Sequence, residues 1–272
     1  MNWIEMTPAG LRRAARTCKG VCVVPTGCLE CHGDHMPLGT DCFQVDAMVE
    51  RAARIEPVVK FPIYFQTQIS EARHIPGTFS LPSRLLWDLL ESTLDEIARN
   101  GFRKIVIVNG HGGNYAFLRY FADRLPAEPK DYVLYLFNFA RWPCDGLPEM
   151  KKILDTPPNH GGEVETSLMM AIRPDLVKKS AIPKTVRAGL KRLDVEGDFY
   201  TGFNWFAGNP DQYQGHAEAG TAKKGEILLE AAAKRLARAF RAAKADSSAQ
   251  KVQDEFFRLV VGKAQGRRKT RR

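Results

Sequence analysis

Val21-Cys22-Val23-Val24-Pro25 and its counterpart Lys104-Ile105-Val106-Ile107-Val108 are short apolar runs rich in valine and isoleucine. Such runs read as strands buried on both faces, as in a parallel sheet. In an open α/β sheet, functional groups gather just beyond the carboxyl ends of the strands. Beyond the first run lie Glu30-Cys31-His32-Gly33-Asp34-His35 and then Asp41; beyond the second lies Asn109-Gly110-His111-Gly112-Gly113-Asn114. Hard metal-ligand types packed into turns after buried strands imply a metallohydrolase.

Working outward, residues 43–55 place Val45, Met48, Val49 and Ala52 at helical spacing, and 58–65 read as another strand, which closes a βαβ unit. Residues 70–82 contain Pro76-Gly77 among polar groups, the signature of a loop, expected over the active edge of the sheet. Ser83 is then the expected N-cap of a helix whose apolar face is Leu85, Leu86, Leu89, Leu90, Leu94 and Ile97, closed by Asn100-Gly101. A helix over 115–125, a strand over 132–139 and a helix over 168–172 follow, then a long helix over 221–243 with Ile227, Leu228, Ala231, Leu236 and Phe240 inward. This alternation predicts an α/β fold with a mostly parallel sheet covered on both faces. Residues 186–220, rich in Gly, Asp and aromatics, are expected to form an irregular excursion near the site or an oligomer contact. A last helix is expected over 250–261. The chain thus divides into a metallohydrolase domain, residues 1–245, and a C-terminal helix with a basic tail, residues 246–272.

With 272 residues, 44% hydrophobic and 26% charged, the chain can build one large core and lacks the composition of a disordered protein. No apolar run approaches the roughly 20 residues needed to span a bilayer, and the first residues lack the pattern of an export signal, so a cytoplasmic location is expected. The six cysteines, Cys18, Cys22, Cys28, Cys31, Cys42 and Cys144, do not form a disulfide framework and are read as thiols. Cys28-Leu29-Glu30-Cys31-His32 matches the haem-attachment spacing, but it follows a buried strand and has no export signal beside it, which disfavours haem. Zinc on Cys28 and Cys31 lacks a second cysteine pair at finger-like spacing. The net charge is +9, and five basic residues in the last six positions, Arg267, Arg268, Lys269, Arg271 and Arg272, account for more than half of it. No nucleic-acid motif accompanies them, so a solvated end is favoured over a phosphate-binding one.

Glu30 and His32 are one residue apart, so in extended chain both side chains point the same way and can hold one or two cations. Asp41 opens the next helix, where a carboxylate suits the positive helix end and can bridge two ions. His111 follows its strand directly, and the glycines around it let backbone approach a ligand. His35, three residues from His32, is read as a hydrogen-bond support for the site and not as a ligand. Arg73 and His74 lie in the Pro-Gly loop, where contact with an anionic group or simple solvation is open.

Taken together, Pro25 through Asp41, Pro76-Gly77-Thr78-Phe79-Ser80, Asn109 through Asn114 and His160-Gly161-Gly162-Glu163-Val164-Glu165-Thr166-Ser167 resemble the motifs of the creatininase family, the creatinine amidohydrolases and their relatives. Gly208-Asn209-Pro210 and Ala222-Lys223-Lys224-Gly225-Glu226 are similar to its weaker C-terminal signature. The resemblance implies a three-layer α/β/α sandwich and an amidohydrolase of cyclic amides, formamides or short peptides, often a hexamer. It implies one or two divalent ions, zinc foremost, with manganese or iron as alternatives. By matching position it makes Glu30, His32, Asp41 and His111 metal ligands, Asp41 bridging if two ions bind, and His160 the proton carrier. Thr78 and Ser80 from the loop and Gly112 and Gly113 from the turn are expected to face the substrate. One departure stands out. Creatininase carries a ligand carboxylate where this chain has Gly113, and Glu165 is the candidate replacement, with a catalytic part as well. The Gly-Gly form looks more like the branches of a formylamino-pyrimidine deformylase and a mycofactocin-precursor peptidase. Thr156, Pro157 and Pro158 also occupy the stretch where creatininase has a tryptophan, which argues against creatinine as substrate. A rival expectation is a non-catalytic metal-binding protein that retains the fold.

Overall fold

The computed structural model describes residues 1–193 and 199–269, with side chains to residue 260. Its elements in chain order are α1 (Pro8–Thr17), β1 (Val21–Thr26), α2 (Thr40–Ile55), β2 (Val59–Lys60), α3 (Ser83–Arg99), β3 (Lys104–Asn109), α4 (Asn114–Arg124), β4 (Val133–Leu136), α5 (Pro148–Ile153), α6 (Glu163–Ile172), α7 (Asn204–Gly208), α8 (Ala222–Ala245) and α9 (Ala249–Lys269). The four strands form one parallel sheet in the order β2-β1-β3-β4.

Side chains alternate across each strand, so the two central strands divide their residues between two cores. Val21, Val23, Val106 and Val108 pack with Val45 and Met48 of α2, Leu168 of α6 and Leu228, Leu236 and Phe240 of α8. Cys22, Val24, Ile105 and Ile107 pack on the other face with Leu90 and Leu94 of α3 and Leu118 and Phe121 of α4. Each fully buried aliphatic side chain contributes about 1.5–3 kcal/mol of hydrophobic stabilisation. Helices thus cover both faces of a mostly parallel sheet, as the alternation predicts.

Differences from expectation have local causes. The strand expected over 58–65 keeps ladder pairing only at Val59–Lys60, because Pro62 cannot donate a backbone hydrogen bond; Tyr64 returns to bridge Thr26. The strand expected over 132–139 stops at Leu136, because Asn138, Phe139 and Ala140 take left-handed backbone with φ of 48°, 55° and 67°. Ser83 is the first residue of α3, with Pro82 in the cap position. Leu85 and Ile227, expected inward, are exposed. Helix α1, which the pattern did not suggest, buries only Ala14 and is started by Thr7, whose hydroxyl accepts from the Gly10 amide at 3.2 Å.

Helix α9 lies along the outer edge of the sheet. Gln253 donates to the carbonyls of Lys130 (2.8 Å) and Tyr132 (3.2 Å), just before β4, so α9 stands over an edge strand that would otherwise invite pairing. Its backbone runs past the expected end at residue 261 as far as Lys269. The side chains of the basic run and all of residues 270–272 fall outside the described residues, as do residues 194–198 of the excursion. Among the described residues no helix is long and apolar enough to cross a membrane.

Candidate metal centre

At the carboxyl ends of β1 and β3 the chain buries a cluster of carboxylates and imidazoles. The loop after β1 supplies Glu30 and His32, the first turn of α2 supplies Asp41, the turn after β3 supplies His111, and α6 with its preceding turn supplies Glu165 and His160. Gly110 makes this convergence possible: a Cβ there would lie 2.7 Å from Val45 Cβ and 3.0 Å from the Asp41 carbonyl, so only glycine lets the end of β3 press against α2.

Asp41 sits at the middle. Its Oδ1 lies 3.1 Å from His32 Nε2 and its Oδ2 lies 3.0 Å from His111 Nδ1. Glu30 Oε1 is 2.8 Å from His111 Nδ1, and Glu165 Oε2 is 3.7 Å from His32 Nε2. One donor atom each from Cys28, Glu30, Asp41 and His111 lie within 4.8 Å of one another, as do those of Glu30, His32 and His160 and those of His32, Asp41 and Glu165. Glu30, His32, Asp41 and His111 are all buried.

Three carboxylates beside two neutral imidazoles would leave a buried excess of negative charge, which is costly unless a positive charge joins them. The titration shifts report that demand. Burial alone would push His32 down, but the carboxylates of Glu165 and Asp41 outweigh it and carry the ring up to about 10. His111 is raised well above its ordinary value against the same burial by Glu30 and Asp41. Although burial opposes it, Glu30 is held below the ordinary carboxylate range by His111 and His160, and Asp41 by His32 and His111. Carboxylate oxygens with imidazole nitrogens are a donor set that suits zinc, manganese or iron. His32 Nε2 and Glu30 Oε1 are moreover buried without a well-directed hydrogen bond, close as they lie to Asp41 and His111. The residues present therefore could hold a divalent cation.

The surrounding hydrogen bonds fix these side chains. His32 Nδ1 contacts the Glu30 carbonyl at 3.4 Å, which leaves Nε2 facing Asp41. Asn109 organises the His111 turn: its Nδ2 donates to the carbonyls of His111 and Ala140, both at 2.7 Å, and its Oδ1 accepts from the His111 amide and from Asn114. Glu165 accepts from the Gly161 amide at 2.6 Å and Gln44 donates to its carbonyl at 3.2 Å. His160 stacks on His32 with ring centroids 4.1 Å apart. Its Nε2 is 2.8 Å from the Cys31 carbonyl; because that oxygen can only accept, Nε2 carries a proton and Nδ1 is left free in the neutral ring.

The other expected residues fall in several places. His35 lies outside the donor groups; its Nε2 is 2.9 Å from the Thr166 hydroxyl, and burial pushes its pKa down to about 4. The Thr78 hydroxyl donates to the Ala72 carbonyl at 2.9 Å and the Ser80 hydroxyl meets that of Ser70 at 3.4 Å, both within their own loop. Gly112 faces open space, and a Cβ on Gly113 would lie 2.5 Å from His111 Nε2. His74 contacts the Pro210 carbonyl at 2.6 Å. The two cysteines of the haem-like spacing part company: Cys28 is buried with its Sγ 3.2 Å from Asp41 Oδ2, whereas Cys31 faces the Asp211 carbonyl. Sequence reasoning assigned no role to Asn109, Gln44 or Cys28 at this centre. Only the Asn-Gly-His turn, as a motif, could have pointed to Asn109.

A cleft of about 360 Å³ opens beside the cluster, lined by Gly112, Tyr115, Arg141, Trp142, Asn159 and Glu165 among others. A second, of about 650 Å³, is lined by Glu71, Arg73, His74, Phe203 and Trp205, and the Trp205 ring meets His160 edge-on. A third cavity, about 970 Å³, lies between β4 and α9, where none of the cluster's residues line it.

The chain is similar to proteins already known. The chain is 30% identical over 250 residues to the creatinine amidohydrolase of Pseudomonas putida, covering 84% of this chain and 92% of that protein. It is 32% identical over 165 residues to the mycofactocin precursor peptide peptidase of Mycolicibacterium smegmatis, covering 56% of this chain and 58% of that one. The solved structure "Creatininase Mn" superposes with a TM-score of 0.76 at 24% identity, over 90% of this chain and 99% of the other, a likeness of fold. The family model "Creatininase: Creatinine amidohydrolase" matches residues 4–240. That span holds the whole sheet and every residue of the buried cluster, and the chain belongs to the creatininase family.

Proposed function

We propose that this protein is a metal-dependent amidohydrolase that cleaves a C–N amide bond in a cyclic amide, a formamide or a short peptide. The observation that carries the reading is Asp41, whose two oxygens each face a different buried histidine, with Glu30 and Glu165 on either side. In this reading Glu30, His32, Asp41, His111 and Glu165 would hold the metal, zinc foremost, with manganese or iron as alternatives, and Asp41 would be shared if two ions bind. Glu165 supports a complete site, because it brings a third carboxylate to the cluster in place of the one absent at Gly113.

A divalent cation held there would polarise an amide carbonyl and lower the pKa of a water. The protein's own groups do the rest. His160 Nδ1, in a ring kept in place by its bond to the Cys31 carbonyl and by stacking on His32, takes a proton and returns it to the departing nitrogen. Glu165, fixed through Oε2 by the Gly161 amide, is held in place as the third carboxylate of the cluster. Gly112 and Gly113 form the turn that opens α4, where backbone N–H groups carry positive partial charge suited to a developing oxyanion. Thr78 and Ser80 shape the neighbouring loop.

Metal analysis of the purified protein, with Glu30→Gln and His111→Ala beside it, tests the reading together with hydrolysis of a panel of cyclic amides, formamides and short peptides under zinc, manganese and iron. The expected result is bound metal and turnover in the wild type, with both reduced in each variant and turnover falling at least about 100-fold. Metal content and hydrolysis untouched by both changes would sink it. Bound metal with no turnover anywhere in the panel would instead make the chain a metal-binding protein that kept the fold.

A further inference from the structure

We propose that the 360 Å³ cleft selects amides that bear a carboxylate, with Arg141 as the anion anchor and Arg235 as the residue that positions it. The inference rests on the amidohydrolase reading and adds the substrate class. Arg141 and Tyr115 line the cleft together with Glu165, and the guanidinium lies 5.5 Å from the Tyr115 ring centroid, a stacking that leaves its edge N–H groups available for a planar anion. Among the described residues Arg141 makes no ion pair. Asp145, the acidic neighbour that feels its charge, is pushed up by burial. Trp142 lines the same wall.

The arm that carries these side chains is built to hold still. It begins in the left-handed residues Asn138, Phe139 and Ala140, a conformation that costs energy and persists only where the surroundings enforce it. Arg235 of α8 enforces it: its guanidinium donates to the carbonyls of Pro143 (3.2 Å) and Asp145 (2.5 Å) and to Asn138 Oδ1 (3.1 Å), and stacks over Phe137 at 5.6 Å. Asn109 then ties the arm to the His111 turn, since one amide group donates to both the Ala140 and His111 carbonyls. The anchor for a substrate anion and a proposed metal ligand therefore share one hub. A cleft of this volume lies at the small end of the range for ligand sites, suited to an amide the size of an acylated amino acid.

Matched pairs test the proposal: N-formylglycine and N-formyl-L-leucine against their primary carboxamides, with the metal-loaded protein. Binding is read by calorimetry and turnover by amine release. The acids are expected to bind more tightly, by about one to two orders of magnitude for a charge-assisted pair. Arg141→Ala erases that ratio, Arg141→Lys restores part of it, and Arg235→Met lowers it while metal content is retained. Acids and carboxamides binding alike, or not at all, would overturn the proposal. An acid preference that survives in Arg141→Ala would do the same, because it would trace to the cation. An Arg235→Met variant that weakens acids and carboxamides equally would reduce Arg235 to packing. Acid-selective binding without turnover would instead count against the amidohydrolase reading, and turnover without acid preference against this inference alone.

Discussion

Asp41 shows how one side chain can govern a site. Its carboxylate meets His32 on one side and His111 on the other, so without a cation the imidazoles serve as its counter-ions by holding protons. His32, carried to about 10, has a folded pKa above its unfolded one of about 6.5, so its stabilisation is complete below that unfolded value and is lost as the pH climbs through about 10. Glu30 and Asp41 run the other way. Held below the ordinary range, they contribute stability above an unfolded pKa of about 4 and lose it as the pH falls further. The chelated protein is therefore expected to be most stable between about pH 5 and 6.5 and to lose melting temperature toward pH 10. A bound cation replaces the protons, so the gap in melting temperature between metal-loaded and EDTA-treated protein should widen steadily from pH 6 to 10. Calorimetric melts across that range check this, and a gap independent of pH would contradict it.

At the scale of elements, the site depends on how α6 meets α8. A Cβ on Gly225 would overlap the backbone carbonyl of Ser167, so α8 can cross α6 this closely only with glycine there. Ser167 also accepts from the Thr221 amide at 3.0 Å, which joins the cap of α8 to α6. Because α6 carries Glu165, pushing the helices apart displaces that carboxylate. Gly225→Val is expected to cost about 1–3 kcal/mol as overpacking, roughly 3–10 °C in a chain of this size, and to weaken zinc binding in a metal titration. An unchanged melting temperature would show that the contact is dispensable. The apolar spacing in the sequence foretold α2, α3 and α8, because each buries a stripe of its own. It missed α1, whose burial is slight, and misjudged β4, because the left-handed turn at Asn138 is imposed by Arg235, 97 residues away in sequence.

For the molecule as a whole, we propose that the catalytic unit ends near residue 245 and that α9 is an addition, since the family model stops at residue 240. Truncation after Ser248 keeps Asp246, whose carbonyl accepts from Lys104 and whose carboxylate accepts from Tyr135. It should leave metal content and turnover within about twofold, as expected for sites far apart, while the uncovered β4 edge lowers melting temperature and solubility. Loss of metal on truncation would refute this division. Much was legible beforehand. The buried strands, their parallel order and the ligand-bearing turns are written locally, because strand burial and turn chemistry depend on neighbours in sequence. What the sequence by itself determined was the α/β architecture and the identity of the acids and histidines at its active edge. Only the tertiary structure decided that each Asp41 oxygen would face a different histidine, that Cys28 would lie against Asp41, and that Asn109 would bind the His111 turn to the arm bearing Arg141. Those facts depend on the packing of whole helices against the sheet, and distances between packed elements are set by every side chain between them, not by spacing along the chain.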